Sequence, residues 1–134
     1  MKTSQIVSPE SIISQWAEYF NNGNLKGILS MYHKDSTLLP TFIPRLLSTQ
    51  EQIKGYFELA IKGQASVEVD INKTIKKELP GSVYLLTGSY VFNLKSKGDK
   101  KYISWYSFLI DLSCDSPITH HHSSRVPFEF DISK

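Results

Sequence analysis

The spacing of apolar residues changes at Gly63, and that change constrains this 134-residue chain more than any other feature. Upstream the spacing is helical. Ile13, Trp16, Ala17 and Phe20 recur three and four residues apart, which gathers them on one face of a helix. Ser8-Pro9-Glu10 supplies its start: an N-cap, a proline at the first helical position and an acid in the first turn. "NNGN" at 21–24 stops it. Asn24 can cap a second helix whose apolar face is Leu25, Ile28, Leu29 and Tyr32, ending near His33. Ser48 and Glu51 have capping-box spacing for a third, with Ile53, Tyr56, Phe57 and Ala60 buried and Gly63 as its stop. The two prolines of "STLLPTFIPRLLS" make the intervening chain extended and bent.

Downstream the period is two. Val67, Val69, Ile71 and Ile75 alternate with Glu68, Asp70, Asn72 and Thr74, the pattern of one half-buried strand. "LPGS" turns the chain into a second strand over 83–94, "KSKGDK" is a hairpin turn, and strands over 102–112 and 118–126 flank "SCDSP". Three helices followed by antiparallel strands make an α+β chain with helices on one face, organised as one domain over residues 1–134.

Charge and composition exclude several partners. A net charge of +2, scattered lysines and only two arginines, Arg45 and Arg125, argue against a nucleic-acid surface. No apolar run reaches the roughly 20 residues of a membrane span. "MKTSQIVSPESII" lacks the apolar centre of a signal peptide, and the single Cys114 cannot form an intrachain disulfide. A cytoplasmic setting is the expectation. With seven Tyr, seven Phe and two Trp, the chain either packs its rings densely or lines a cavity with them.

The segment that invites chemistry is "ITHHHSSRVP", residues 118–127. On a strand, Ile118, His120, His122 and Ser124 share one face, and Thr119, His121, Ser123 and Arg125 the other. Ile118 is the most apolar of them, so its face is assigned to the helix-covered side. His120 and His122 then look inward, while His121 and Arg125 look out. Two enclosed neutral imidazoles need hydrogen-bond partners whether or not a ligand arrives. They could also bind an anion or move a proton. A metal would need a further ligand that the sequence does not supply, so neither metal nor other cofactor is expected. Asp35, Asp70, Asp99 and Asp111 read as surface carboxylates. Arg45 reads equally well as a fork for a carboxylate or phosphate and as an ion-pair partner of Glu51 or Glu58. On the 102–112 strand, Tyr102, Tyr106, Phe108, Ile110 and Leu112 take one parity and Ile103, Trp105 and Leu109 the other. A sheet apolar on both sides must cover both, which predicts a homodimer or higher homo-oligomer paired through its sheet.

Three stretches, "WAEYFNNGNLKGILSMYHKDSTLLP", "RLLSTQEQIKGYFE" and "HHHSSRVP", resemble in order and spacing the nuclear transport factor 2-like superfamily. The last resembles the closing strand of the calcium/calmodulin-dependent kinase II association domain and of SnoaL-like proteins, with Ser123 standing where the association domain has arginine. The resemblance implies a cystatin-like roll: helices over a strongly curved sheet, forming a cone. It also implies a small-molecule pocket, for which the candidate lining is His120, His122, Tyr32, Phe42, Arg45, Phe57, Tyr90, Trp105 and Tyr106. His120 and His122 are the candidates for any catalysis. The superfamily hosts isomerases, cyclases, dehydratases and assembly domains, so the fold chooses no reaction. A ligand-binding oligomer is the leading expectation; a proton-transfer enzyme and a purely structural association module are the alternatives.

Overall fold

The computed structural model describes residues 7–127; the start of "MKTSQIVSPESII" and the outer limits of the 1–134 domain lie outside the described residues. Helix α1 spans Pro9–Asn21, with Ser8 accepting from the backbone N–H of Ser11. Helix α2 is short, Leu25–Ser30, capped by Asn24. Strand β1 (Tyr32–Leu39) follows at once, so Tyr32 belongs to the sheet rather than to the second helix. The reason is tertiary. Tyr32 pairs in parallel with Ile118, and the Ile118 N–H donates to the Met31 carbonyl at 2.9 Å. Those bonds outweigh one more helical turn. Helix α3 spans Gln50–Lys62 and starts one residue later than the sequence suggests: Thr49 and Gln52, not Ser48 and Glu51, form the capping box. Both pairs have the required spacing. The second also lets the Gln52 side chain accept from the Ser48 N–H, satisfying one more donor.

Strands β2 (Ala65–Val69) and β3 (Ile75–Leu79) replace the single strand expected there, and a 3-10 turn at Ile71–Lys73 divides them. Both pair with β4 (Val83–Leu94), end to end along its length. Ile75 is thereby left on the surface at 71% exposure, although its alternation suggested burial. Strands β5 (Lys100–Asp111) and β6 (Ile118–Arg125) complete a six-stranded sheet ordered β1-β6-β5-β4-β2, with β3 also on β4. All pairings are antiparallel except β1 with β6. The helices pack on one side of this curled sheet, and the core between them holds Ile13, Trp16, Phe20, Ile28, Ile53, Phe57, Leu86, Tyr90, Phe108 and Ile110.

Two local devices hold the layers. Asn21, at the end of α1, lays its amide against β2: the Val67 N–H donates to Asn21 Oδ1 at 2.7 Å and Asn21 Nδ2 donates to the Val67 carbonyl at 2.9 Å. The second device is an absence of side chain. Gly88 lies directly opposite Tyr106, and a Cβ there would sit 2.8 Å from the tyrosine hydroxyl and 3.1 Å from Thr74 Oγ1. That space lets the buried Tyr106 reach Thr74, its hydroxyl 2.5 Å away, at the entry to β3. We expect Gly88→Ala to destabilise the fold by about 1–3 kcal/mol through overpacking. Urea denaturation reads this as a lower midpoint with an unchanged slope, whereas an unshifted midpoint would mean that the tyrosine moves aside freely.

Candidate functional site

The site begins with a one-residue irregularity. Along the β5–β6 pairing, Ile110 faces Ile118 but Leu109 faces His120, so Thr119 is an extra residue, a β-bulge. The Thr119 hydroxyl donates to the Leu109 carbonyl at 3.1 Å, anchoring the displaced residue. One inserted residue inverts the alternation for everything after it. Ile118 is inside as expected, but His121 and Ser123 are inside too, and His122 is exposed on the outer face. The inward placement of His120 and His122 is therefore corrected, and so is the outward placement of His121.

His121 is 2% exposed and lies parallel to Phe108, ring centroids 3.9 Å apart, with the Trp16 indole edge-on at 5.4 Å. Both ring nitrogens are engaged. Nδ1 is 2.7 Å from the Tyr32 hydroxyl and Nε2 is 2.9 Å from the Tyr90 hydroxyl. The connections continue on both sides. Trp16 Nε1–H donates to the Tyr32 oxygen at 3.0 Å, Tyr90 donates to Ser123 Oγ at 2.6 Å, and Ser123 is bonded to the Thr41 hydroxyl.

Counting protons assigns the tautomer. Since Tyr90 donates to Ser123, it can only accept from His121, so Nε2 carries the hydrogen. Nδ1 is then the acceptor for Tyr32, whose oxygen receives the indole N–H. The result is one directed run of hydrogen bonds, Trp16 to Tyr32 to His121 to Tyr90 to Ser123, with one proton per link. A charged His121 would have two donors and leave the Tyr32 hydrogen without an acceptor. Burial accordingly pushes the imidazole well below its ordinary range, and the neighbouring His120 and His122 act in the same direction. Burial likewise raises Tyr32 and Tyr90 well above ordinary tyrosine values. At neutral pH the whole run is uncharged, and it satisfies its own polar groups.

The other predicted pocket residues divide among three places. Tyr32, Phe57 and Tyr90 are core, with Tyr32 and Phe57 rings 5.5 Å apart. Tyr106 is core as well, its ring 4.8 Å from that of Tyr90. Phe42 is half-buried against Phe92 and Tyr102, and Tyr102 also carries the Arg125 guanidinium 4.7 Å above its ring. Arg45 is exposed on the bent segment and forms no salt bridge among the described residues, so the ion pair with Glu51 or Glu58 is not made. His120 is half-buried on the outer face, its Nδ1 2.6 Å from the Thr37 hydroxyl. Burial, followed by the influence of His122, lowers its pKa.

The structure does bring Trp105 and His122 together, but on the outer side of the sheet. There they border a groove of about 530 Å³ with Lys73, Ile75, Thr87 and Ser89, while Tyr106 faces the core and adds to the same groove beside Gly88. Among the described residues, no three His, Cys, Asp or Glu side chains gather as a metal site would require. None of the described helices is long and apolar enough to cross a membrane. The sequence reading missed Trp16, Thr41, His121 and Ser123 as a connected set, because no residue type marks Thr119 as the inserted one.

The buried imidazole has a thermodynamic signature. An unfolded histidine takes up a proton near pH 6.5 while folded His121 stays neutral to lower pH. Stability is therefore full above about pH 6.5 and falls as the pH drops below it, by at most about 1.4 kcal/mol per unit for this group. We expect His121→Phe to remove that slope from denaturation midpoints measured between pH 7 and 5. An unaltered slope would place the acid sensitivity elsewhere.

Residues 8–127 match the family model of the calcium/calmodulin dependent protein kinase II association domain. No curated protein matches the chain. A solved structure described as a calcium/calmodulin dependent protein kinase II association domain, from Xanthomonas campestris, superposes with a TM-score of 0.77 and 25% identity, over 95% of this chain and 98% of that one. An uncharacterized protein with a cystatin-like fold from Caulobacter vibrioides gives 0.74 at 10% identity, covering 90% and 88% of the two chains. An NTF2-like protein of unknown function from Cytophaga hutchinsonii gives 0.67 at 12% identity, covering 93% and 96%. Because the match runs from the cap of α1 through the histidine strand, the chain belongs to the calcium/calmodulin dependent protein kinase II association domain family, on the nuclear transport factor 2-like fold.

Proposed function

We propose that this chain is an association module, a domain that pairs with copies of itself through the outer face of its sheet. The observation that carries the reading is the set of large apolar side chains left on that face. Trp105 is 52% exposed, Ile103 60% and Ile75 71%, and the strand register puts all three on the side away from the helices. Leu85, Val91 and Leu109 share that side, half-buried. Large apolar side chains exposed on three neighbouring strands are costly in water, and a second copy is the partner that every molecule of the protein has available. The family is named for association, which agrees with that choice of partner.

The ligand-binding and proton-transfer readings find less support in the geometry. The concave side, where a superfamily pocket was expected, is occupied by Trp16, Phe20, Tyr32, Phe57, Tyr90, Phe92, Phe108 and His121, each no more than 4% exposed. In the run from Trp16 to Ser123 every donor is already spent on the next member, which leaves none of them for a substrate. The reading includes a cytoplasmic setting, in keeping with a lone cysteine.

A two-fold pairing of this kind uses the same patch on both copies and buries about 800 Å² on each. We expect the protein to sediment as a dimer or larger closed oligomer at micromolar concentration. We expect the double variant Ile103→Lys, Trp105→Glu to sediment as a monomer with an unchanged far-ultraviolet circular dichroism spectrum. A wild-type monomer, or an oligomer indifferent to both substitutions, would overturn the reading.

A further inference from the structure

The helical side carries a second feature that the association reading leaves unused. A cleft of about 530 Å³ opens between α2, β1 and α3, lined by Leu29, Tyr32, His33, Thr49, Gln50, Glu51, Ile53 and Lys54. Its volume falls within the range of small-molecule sites. Its lining is divided by chemistry. Leu29, Ile53 and the Tyr32 ring are apolar, and Ile53 and Tyr32 are buried, so these three form a floor. His33, Glu51 and Lys54 stand around it, and all three belong to elements fixed by other contacts.

Among the described residues the charged groups at the rim have no ion-pair partner. The one salt bridge among the described residues joins Lys76 to Glu10, so within that set Glu51 and Lys54 pair neither with each other nor with another side chain. They sit three residues apart on α3, neighbours on the helix surface with Cβ atoms about 5–6 Å apart. One is an anion and one a cation, side by side above an apolar floor. His33 adds a donor. Its Nδ1 accepts the Asp35 backbone N–H at 3.1 Å, which leaves Nε2 to carry the hydrogen of the neutral ring. Thr49 and Gln52 are spent on the cap of α3 and do not compete for a ligand.

The geometry points to a binding site for a small zwitterion with an apolar side chain, the chemical class of an apolar α-amino acid. Its carboxylate meets Lys54 and the His33 Nε2–H, its ammonium meets Glu51, and its side chain lies on Leu29, Ile53 and the Tyr32 ring. Two opposite charges at the rim select for a ligand carrying both, and they disfavour one that has lost either. This inference is independent of the association reading, since the cleft and the outer sheet face involve different residues.

The test uses the full chain and free phenylalanine as probe, followed by amide chemical shifts. Saturable shifts are expected at residues 29–33 and 49–54. Phenylalanine amide, which lacks the carboxylate, and N-acetylphenylalanine, which lacks the ammonium, should each bind at least tenfold more weakly. The exposed rim residues allow a cross-check that does not disturb folding. Lys54→Ala should abolish the preference over the amide while keeping the preference over the acetylated form, and Glu51→Ala should do the reverse. No saturable shift, shifts at other residues, or discrimination that survives both substitutions would overturn the inference. Sedimentation of the same variants should match wild type, so a failure here is distinguishable from a failure of the association reading.

Discussion

An imidazole enclosed by phenyl and indole rings has no water to solvate it, so protein groups must meet both of its nitrogens. In this chain that requirement reaches every layer of the structure. Trp16 comes from the first helix, Tyr32 from the first strand, Tyr90 from the long hairpin and Ser123 from the last strand, and Thr41 closes the run from the bent segment. Each supplies one hydrogen bond to a neighbour from a different element. The run therefore joins segments up to 89 positions apart in sequence, as the Tyr32–His121 pair shows. Hydrophobic contact alone would allow these segments to slide. A directed set of hydrogen bonds in a low-dielectric core fixes them in one arrangement.

The same requirement explains the bulge. Without Thr119 displaced, the Ile118 face would carry His120 and His122 inward in place of His121 and Ser123. With it displaced, His121 meets two tyrosines and stacks on Phe108. His122 is left to the outer face. Inverting the strand's parity at one residue is thus what allows an isoleucine and a histidine three positions later to share the interior.

Much of the architecture was legible because it rests on local rules. Pro9 with its cap, the Asn24 stop and start, and the period change at Gly63 each act within a few residues. The 83–94 strand is bounded in the structure as in the sequence. What could not be read depends on distant partners. Tyr32 leaves its helical pattern for a strand 86 positions away, at Ile118. The turn at Ile71–Lys73 splits a continuous alternation around a crossing between Thr74 and Tyr106. The candidate site suffered most, because period-two counting carries a single inserted residue forward as an error in every later position. The family resemblance, by contrast, survived, since it rests on the order of whole segments rather than on any one parity.

The amide of Asn21 has a further consequence. By occupying both polar groups of Val67, it removes from β2 the docking ladder that an uncovered strand offers to a strand of another molecule. The bridge between Leu38 and Leu47 occupies part of β1, and Lys76, Lys77 and Glu78 load β3 with charge. Each of these features disfavours growth in the plane of the sheet. A strand of another molecule therefore finds little open ladder along these margins, which guards the sheet against extension into fibres.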